Sequence, residues 1–404
     1  MATSDGDLLA RHCPALQYDS HETFFTDSVA ALVDARPPPR GNTLCRANGT
    51  IIAASVPGAG AQLLRLDLLG PHEYPGIGPA LKDDFLDEVG HNYKLDAARL
   101  HADPAYANRV YGHVAHDPDG SRWLQYWFFS YYNDKAFLGF GLHEGDLEMI
   151  QLRLGADEQP DVATFAQHSG GERANWAQVH RHPDQDGPRP LVYVARGSHA
   201  SYLRPGKHDG PVVPDYNDAG GPLVDPALDV ISDAGPGWVL WPGSWGSTRS
   251  TNPLESNSPR GPAAHGQWRR PSAFHASADE FDAASYERGD AIAEAAPPAP
   301  SLSVSRVGDQ ATVGFQVPPA AGRPAPAHLV VTLGTPDDSL APLTYRFDVT
   351  GNSGEVTLPT DLGSGEGYEV RASVASDDGQ ASPVVREAVP DPPPRAPAGS
   401  GGGG

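Results

Sequence analysis

The sequence has few cysteines and no long hydrophobic run. Cys13 and Cys45 are its two cysteines among 404 residues, and no Cys-x-x-Cys spacing occurs. A zinc site built from thiolates is therefore not expected, and we interpret the pair as two ordinary thiols. No window of 18 apolar residues is present, so no transmembrane segment is predicted. The opening residues, MATSDGDLLARHCPALQYD, lack a basic start followed by an apolar segment. This predicts a cytoplasmic protein without a secretory signal, and export by a signal-independent route stays open.

Basic residues are also scarce. The chain has 29 Lys+Arg against 51 Asp+Glu, a formal net charge of −22. Because phosphate contacts need basic patches, this balance argues against nucleic acid as a partner. It argues equally against simple electrostatic docking on an anionic membrane. Cation binding is compatible with it wherever carboxylates cluster locally. No oligomeric state follows from the sequence.

Glycine and proline are abundant, with 45 and 41 residues respectively, which indicates many turns. Together with short apolar runs, they predict a mainly all-β fold: a β-sandwich with long loops and a few helices. The segment 123–129, WLQYWFF, is almost wholly apolar and is predicted to be a central strand covered on both faces. Other strand candidates are 50–55, 63–70, 149–154 and 191–195, and one helix is predicted at 274–294.

A second, smaller domain is predicted at the carboxyl end. Residues 1–295 form the first domain, and the Pro/Ala segment 296–300 reads as a linker. Residues 301–390 carry alternating apolar positions, as in Tyr368, Val370, Ala372 and Val374. Leu362 stands six residues before Tyr368, and this spacing resembles the sixth-strand region of fibronectin type III domains, where a tyrosine caps the corner between two sheets. The resemblance implies a small β-sandwich, and the tail 391–404 is predicted to be disordered.

The most informative stretch is GLHEGDLEMIQLRL, residues 141–154. In a strand the side chains alternate between faces, so Asp146 and Glu148 share the face that continues into Ile150, Leu152 and Leu154. The opposite face, with Met149, Gln151 and Arg153, is expected to be more polar. Two carboxylates at the open end of an inward face are costly to bury unless their pKa values rise or a cation joins them.

Two further groups could complete a metal site. His143 precedes Asp146 across Gly145, which allows a turn that brings the imidazole over the carboxylates. Asp134 ends the segment YWFFSYYND and would reach the same rim if the two strands form a hairpin. Such a set, rich in oxygen, suits Mg²⁺ or Ca²⁺, and Mn²⁺ is also possible in chemical terms. The alternative is that Asp134 occupies a turn while His143 and Glu144 are solvated loop residues.

Several polar residues elsewhere are weaker candidates. His168 and Glu172, in QHSGGE, could line a cation pocket or bind a headgroup, or could simply form a hairpin turn. Arg196 and His199 leave a strand in the segment ARGSHASY and are candidate ligand-binding residues together with His168. Adjacent Ser198 and His199 point apart on an extended chain, so they are no catalytic dyad. DYNDAGG, at 215–221, resembles a calcium loop but lacks the full spacing and the closing Glu.

The segments YWFFSYYND, HEGDLEMIQLRL, AQHSGGE, VYVARGSHASY and WPGSWG resemble the vacuolar protein sorting-associated protein 62 family, including its bacterial members. The resemblance runs in order over residues 10–275. Leu147 departs from the family pattern, which usually has Trp there. Because Leu147 lies on the face opposite the carboxylates, the departure alters packing and leaves the ligand set intact.

A more distant resemblance is to necrosis-inducing, cytolysin-like proteins, whose Gly-His-Arg-His-Asp-Trp-Glu motif is similar to LHEGDLE. In that family the corresponding positions hold a divalent cation in a β-sandwich that binds sphingolipid headgroups. The resemblance implies Asp134, His143, Asp146 and Glu148 as metal ligands here. It does not imply toxicity.

Three functions are compatible with these residues. The first is a binding protein whose divalent cation organises loops for a polar headgroup, either lipid or glycan. The second is a metal-dependent hydrolase in which Glu144, Glu172 or His168 acts as the base. The third is a structural or cargo protein whose cation only stabilises the fold. Resemblance to a family does not choose among them.

Overall fold

The computed structural model describes most of the chain. The described residues are 3–33, 42–55, 62–88, 93–135, 142–168, 170–182, 187–208, 214–247, 257–282, 297–319, 325–335, 343–359, 362, 367–376, 382 and 385–392. The chain divides into two compact units, Met1–Ala293 and Glu294–Gly404. The division lies beside the Pro/Ala segment, and each unit is described by itself.

The first unit is built mainly from strands. Its strands are β1 (Ala15–Tyr18), β2 (Asn42–Cys45), β3 (Ile51–Ala54), β4 (Gln62–Leu63), β5 (Glu73–Tyr74), β6 (Gly78–Pro79), β7 (Phe85–Glu88), β8 (Arg109–His116), β9 (Arg122–Asn133), β10 (His143–Leu154), β11 (Pro160–Gln167), β12 (Gly170–Asn175), β13 (Leu191–Val194), β14 (Ser201–Tyr202), β15 (Gly206–His208), β16 (Asp215–Asn217), β17 (Leu223–Val224), β18 (Ala227–Val230) and β19 (Asp279–Glu280). Its helices are α1 (Asp5–Arg11), α2 (Tyr93–His101), α3 (Gly266–Arg269) and α4 (Pro271–Ser277).

A seven-stranded sheet, in the order β18-β8-β9-β10-β11-β12-β19, forms the centre of this unit. β9 and β10 are its long antiparallel pair, and their register runs from Leu154 opposite Arg122 to His143 opposite Asn133. Every residue of β9 after Arg122 is buried. The aromatic residues of this strand favour a pleated surface covered on both sides. The prediction of a central strand at 123–129 is therefore confirmed.

Smaller sheets surround the central one. One has the order β14-β13-β1-β17, another β4-β3-β2-β7, and two hairpins pair β15 with β16 and β5 with β6. Parallel pairing joins β1 to β13 from Ala15 opposite Leu191 to Tyr18 opposite Val194. The mainly all-β fold class is thus confirmed.

Two hydrophobic cores lie against the two faces of β9 and β10. One contains Trp127, Phe129 and Met149, with four further tryptophans from the later loops and α3. The other contains Tyr126 and Ile150, together with Leu152, Leu154 and residues from α1 and β1. The face of Met149, Gln151 and Arg153 is polar at Gln151 and Arg153, as expected, but it is covered, because Met149 and Gln151 are buried. Gln151 reaches the carbonyl of Pro271 at 2.8 Å, so α4 covers this face.

Two other expectations need correction. Residues 63–70 do not form one strand, since β4 ends at Leu63 and a 3₁₀ turn follows at Leu66–Leu68. The helix predicted at 274–294 begins earlier, at Pro271, and ends at Ser277. Proline is well suited to the first turn of a helix, where its missing N–H is not needed. The remainder of that predicted helix, from residue 283, lies outside the described residues.

The second unit contains β20 (Ser301–Val307), β21 (Gln310–Gln316), β22 (His328–Gly334), β23 (Leu343–Asp348), β24 (Ser353–Thr357), β25 (Glu369–Ala375) and β26 (Val385–Ala388). They form a sheet of order β20-β21-β24 and another of order β23-β22-β25-β26. Alternate residues such as Val313 and Val374 meet in one core. The hydroxyl of Tyr368 lies 3.4 Å from the carbonyl oxygen of Leu362. The fibronectin type III assignment stays a prediction, and the tail from residue 393 lies outside the described residues.

Candidate ligand-binding site

The β9–β10 hairpin places the predicted ligands at one end of the central sheet. His143 stands opposite Asn133, so Asp134 leaves β9 beside the start of β10. Asp146 and Glu148 lie on the face that continues into Ile150, Leu152 and Leu154. Only 6% of Asp146 and 8% of Glu148 is exposed. Two acidic side chains are thus buried where the sheet meets the loops.

Gly145 allows the backbone to enter this site. Its φ is +54°, in the left-handed region that residues with a side chain rarely adopt. A Cβ at this position would lie 2.3 Å from the carbonyl oxygen of Trp245. The glycine therefore serves both the turn between His143 and Asp146 and the close packing of the 245 loop.

Gly145→Ala is expected to lower the free energy of unfolding by roughly 2–4 kcal/mol, because it combines a left-handed φ with a contact to backbone that cannot move aside easily. Denaturant unfolding measures the loss. Gly120→Ala is the control: its φ is +89°, yet no atom lies within 4 Å of the added Cβ. Equal losses in the two variants would show that the Trp245 contact adds nothing.

Asp146 is held by a buried histidine that also faces a second carboxylate. His199 Nδ1 lies 2.8 Å from Asp146 Oδ2, and His199 Nε2 lies 3.7 Å from Glu22 Oε1. Asp146 also accepts a hydrogen bond from Asn133 Nδ2 at 3.3 Å. Glu22 accepts backbone N–H groups from Thr23, Phe24 and Gly197. The result is a Glu22–His199–Asp146 triad buried beneath the loops.

Charge pairing sets the protonation of this triad. Burial alone would lower the pKa of His199, but the Glu22 charge and the Asp146 hydrogen bond raise that pKa to about 10. Burial alone would raise the pKa of Asp146 and of Glu22, yet contacts with His199 hold both below their ordinary values. At neutral pH the triad is therefore an imidazolium between two carboxylates.

Glu148 has no comparable ion-pair partner in the part of the chain that the structure describes. Burial, reinforced by the charges of Asp146 and Asp215, raises the pKa of Glu148 well above its ordinary value. His199 and a hydrogen bond from the His168 backbone counter this only in part. Among the described residues, the charge of Glu148 is therefore the least compensated of these acids, and a bound cation would relieve such an environment.

Asp215 is the centre of a second polar cluster, and it is fully buried. Its carboxylate accepts hydrogen bonds from Ser198 Oγ at 2.5 Å and Tyr202 Oη at 2.6 Å. His168 Nε2 lies 2.7 Å away, and Lys135 Nζ forms an ion pair with it. Burial opposes ionisation, but the His168 hydrogen bond and the Lys135 charge bring the pKa of Asp215 far below its usual range.

Sequence reasoning missed Glu22, Lys135 and Asp215. Asp215 stands in DYNDAGG, a segment that had indicated only a loose resemblance to a calcium-binding loop. Glu22 and Lys135 carry no local signal, because their partners are distant in sequence. The pairing of Lys135 with Asp215 spans 80 residues and depends on the tertiary fold.

The other predicted site residues are buried or partly buried. Glu144 is buried and accepts hydrogen bonds from Tyr93 Oη and the Ser247 N–H, each at 2.9 Å, so it is not a solvated loop residue. Glu172 is also buried and lies 3.4 Å from the Leu203 N–H. His168 keeps 29% of its side chain exposed. Arg196 is partly buried, and its backbone N–H donates to the carbonyl of Tyr216.

Within the described residues, Asp19, His21 and Asp218 form a group whose ligand atoms all lie within 4.8 Å of one another, close enough to share one metal ion. The Asp218 carboxylate accepts N–H groups from Ser20 and Gly220. The four predicted ligands do not form such a group: Asp146 contacts His199, and Asp134 Oδ2 lies 3.1 Å from Lys94 Nζ. The assignment of a metal to those four therefore stays a prediction.

Sequence similarity to a known protein covers only part of the chain. No family model matches the chain. A Saccharomyces cerevisiae protein, TDA6, whose name provisionally associates it with vacuolar protein sorting, is 27% identical over 192 residues. The match covers 37% of this chain and 40% of the length of TDA6. This match agrees with the resemblance of the motifs to a vacuolar protein sorting-associated family.

Solved structures give only low overall similarity. One described as a toxin fold for microbial attack and plant defense shares 12% identity, with a TM-score of 0.28, over 57% of this chain and 75% of that one. Another, NLPPya in complex with mannosamine, shares 11% identity, with a TM-score of 0.26, over 58% and 76% of the two chains. Scores of this size do not identify a shared fold. Among the described helices, none is both long and apolar enough to cross a membrane.

Proposed function

We propose that this protein binds a divalent cation through Asp134, His143, Asp146 and Glu148, and that the cation organises the surrounding loops to recognise a polar headgroup of a lipid or glycan. The observation that carries the proposal is the carboxyl of Glu148, which is buried beside Asp146 and Asp215 and whose charge His199 offsets only in part. A buried like-charge pair is stable only if a proton or a cation joins it.

The chemistry of the donor set fits a hard cation. Carboxylate oxygens with one imidazole suit Mg²⁺, Ca²⁺ or Mn²⁺, and such ions keep coordination positions open for an outside oxygen. The loop of Gly197 supports this arrangement, because a Cβ there would lie 2.5 Å from Asp134 Oδ1. Arg196 precedes that glycine, His199 lies two residues after it and is buried against Asp146 and Glu22, and His168 reaches the cluster through Asp215. Arg196 and His168 would orient a ligand whose hydroxyl groups complete the coordination, and His199 would hold Asp146 in place.

Chelation is expected to lower the melting temperature of the wild type, and one of Mg²⁺, Ca²⁺ and Mn²⁺ should restore it. A cation at about 100 times its Kd stabilises by about 2.7 kcal/mol, which corresponds to roughly 5–10 °C. Asp146→Asn combined with Glu148→Gln should lose this response. Asp218→Asn is the matched control, since it changes the separate Asp19–His21–Asp218 group. Loss of the response in the control alone would move the cation to that group.

Ligand binding is tested with the identified cation. Methyl glucoside, glucosamine and mannosamine are titrated by calorimetry with and without chelator; mannosamine is also the sugar in one of the solved structures compared above. Cation-dependent binding that disappears in the Asp146/Glu148 variant supports the binding function. A melting response with none of these sugars bound would rule them out as ligands and favour a cation that only stabilises the fold.

A metal-dependent hydrolase is the second candidate, and the His168–Asp215 pair favours it. Asp215 orients one ring nitrogen at 2.7 Å while the imidazole stays partly exposed, an arrangement suited to a general base. Turnover of ester, phosphodiester or glycoside substrates that needs the cation and is lost in His168→Gln would establish this function. Turnover unchanged by His168→Gln would exclude the histidine as the base.

A further inference from the structure

A cavity of about 320 Å³ lies at the end of β8 that is remote from the proposed cation site. The polar side chains among its lining residues are His113, His116, Asp233 and Arg269. His113 stands opposite Gln125 of β9, whereas the cation site begins beside Asn133, at the other end of the same strand. At about 3.4 Å per residue, this stretch of β9 is roughly 27 Å long, so the cavity and the cation site are separate.

Hydrogen bonds fix the tautomer of His113 in this cavity. Gln125 Nε2 donates to the carbonyl oxygen of Gln267 at 2.6 Å. A carbonyl oxygen can only accept, so this end of the amide must be the nitrogen. The other end, Gln125 Oε1, lies 2.9 Å from His113 Nδ1, which must therefore carry the proton. Burial holds the pKa of His113 below its ordinary value, so the ring is neutral at pH 7 and its Nε2 is a hydrogen-bond acceptor.

This Nε2 is available to a ligand. Only 5% of His113 is exposed, and its ring stacks on Trp268 with the two ring centroids 3.6 Å apart. Because Nδ1 is turned to Gln125, the opposite edge of the ring, which carries Nε2, faces the cavity. Within the described ranges, no hydrogen bond reaches that nitrogen. A buried acceptor without a partner costs free energy, and a donor group of a ligand would recover it.

Asp233 and Arg269 place opposite charges at the mouth of the cavity. Asp233 Oδ1 accepts the indole N–H of Trp268 at 2.8 Å, which fixes the carboxylate beside the cavity, and its charge acts on His113. Arg269 is the last residue of α3 and is exposed. Neither side chain forms an ion pair in the part of the chain that is described here. The mouth therefore offers both a carboxylate acceptor and a guanidinium donor to a ligand.

We propose that this cavity binds a single sugar ring, with one hydroxyl donating to His113 Nε2 and neighbouring hydroxyls bonding to Asp233 and Arg269. A hydroxyl both donates and accepts, so adjacent hydroxyls can satisfy an acceptor and a donor together. The volume is near the lower limit of small-molecule pockets, roughly 300 Å³, which suits a ligand of about one ring. Apolar contacts for the C–H groups of the ring come from Val114, Ala115 and Leu240.

The same two charges could also face a zwitterionic amino acid. Asp233 would then contact an ammonium group, and Arg269 a carboxylate. Both side chains are exposed, however, and charge pairing at exposed positions contributes little. The neutral acceptor of His113 deeper in the cavity matches a hydroxyl better than a charged end group. A sugar is therefore the ligand that uses all three groups.

The sugar has two chemical sources, and the experiment separates them. Glucose, galactose and mannose represent free sugars, and their methyl glycosides represent the terminal residue of a glycan. Ligand-observed saturation-transfer NMR measures the affinity of the full chain for each sugar in the presence of chelator. Glycine and glycerol are the zwitterionic and acyclic comparisons. We expect at least one sugar to bind and neither comparison to do so. Loss of binding on methylation identifies a free sugar, and retained binding identifies a glycan end.

The mouth is tested with Asp233→Asn/Arg269→Met, in which the asparagine can still accept the indole N–H of Trp268. We expect the affinity for the sugar to fall at least about tenfold, because two charge-assisted hydrogen bonds are lost. Arg270→Met is the matched control. Arg270 is the next residue and equally exposed, but it does not line the cavity, so this variant should bind as the wild type does.

The buried acceptor is tested with His113→Phe, which keeps a ring against Trp268 and removes Nε2. This variant should show no detectable sugar binding. Thermal unfolding checks that it is folded; if it is not, the exposed pair of substitutions still decides the proposal.

Three results would overturn this inference. The first is that none of the sugars binds, or that glycine binds as well as the best of them. The second is an equal loss in Asp233→Asn/Arg269→Met and in Arg270→Met. The third is sugar binding that requires a divalent cation and disappears in Asp146→Asn/Glu148→Gln alone, which would place the sugar at the cation site and support the proposed function instead. Conversely, sugar binding in chelator with no cation effect on the melting temperature would support this inference while the proposed function fails.

Discussion

His199→Asn is expected to lower the free energy of unfolding by about 3–5 kcal/mol at neutral pH. The substitution removes the imidazolium that lies between Glu22 and Asp146, and it leaves two buried carboxylates without their cation. Asparagine is chosen because His199 has a φ of +54°, a conformation that asparagine tolerates better than most residues. The loss therefore reports the missing charge, not backbone strain. Denaturant unfolding near pH 7 measures it.

The effect should depend on pH in a defined direction. The pKa of His199 is raised to about 10, so its contribution is fully present below the ordinary value of 6.5 and is lost as the pH rises through 10. The pKa values of Glu22 and Asp146 are lowered, so their contribution is present above their ordinary values of 4.5 and 3.8 and is lost in acid. The advantage of the wild type over His199→Asn should therefore be largest between pH 4.5 and 6.5.

A double variant separates charge from packing. In His199→Asn/Asp146→Asn the carboxylate that lay 2.8 Å from the imidazole is neutral, so part of the lost stability should return. A double variant as unstable as the sum of the two single variants would contradict the charge-pair interpretation. It would assign the loss to packing around the 195–200 loop instead.

The sequence predicted the strands around the site because their signals are local. The apolar run 123–129 and the alternation after Asp146 each identify a strand within a few residues, and the β9–β10 hairpin follows from their proximity in the chain. The burial of Asp146 and Glu148 on one face is a consequence of the two-residue period. Short-range patterns were thus enough to place two of the predicted ligands.

The partners of those ligands could not be predicted, because they arrive from remote loops. His199 meets Asp146 across 53 residues, and Glu22 meets Gly197 across 175. No periodicity connects such positions. His199 was singled out only by its motif, and Glu22 was not singled out at all. Among the described residues, the helix predicted at 274–294 ends at Ser277, and the acidic residues that favoured it follow this point.

Asp215→Asn is the second substitution for which we expect a loss of about 3–5 kcal/mol. The fully buried carboxylate accepts hydrogen bonds from the Ser198 and Tyr202 hydroxyls and contacts His168 Nε2. It is also the ion-pair partner of Lys135. An amide keeps the size of the side chain but leaves the Lys135 ammonium, itself only 16% exposed, without its counter-charge. Chemical unfolding monitored by tryptophan fluorescence measures the change.

A second substitution, at Lys135, tests whether the lost stability comes from its unpaired charge. Asp215→Asn/Lys135→Met removes both charges and should recover a substantial part of the loss, because an uncompensated buried charge is costlier than an absent pair. Asp218→Asn, one residue beyond the end of β16, is the control. Its carboxylate is more exposed and accepts mainly backbone and serine donors, so a loss of about 1 kcal/mol is expected.

The lowered pKa of Asp215 predicts how the stability loss in Asp215→Asn changes with pH. Because the pKa of Asp215 lies below its ordinary 3.8, its stabilising contribution is present above that value and disappears as the pH falls through the lowered pKa. The difference between wild type and Asp215→Asn should therefore shrink in acid, while the His199 difference also declines above pH 6.5. A difference for Asp215→Asn that stayed constant down to strongly acidic pH would mean that the carboxylate holds the loop by shape alone.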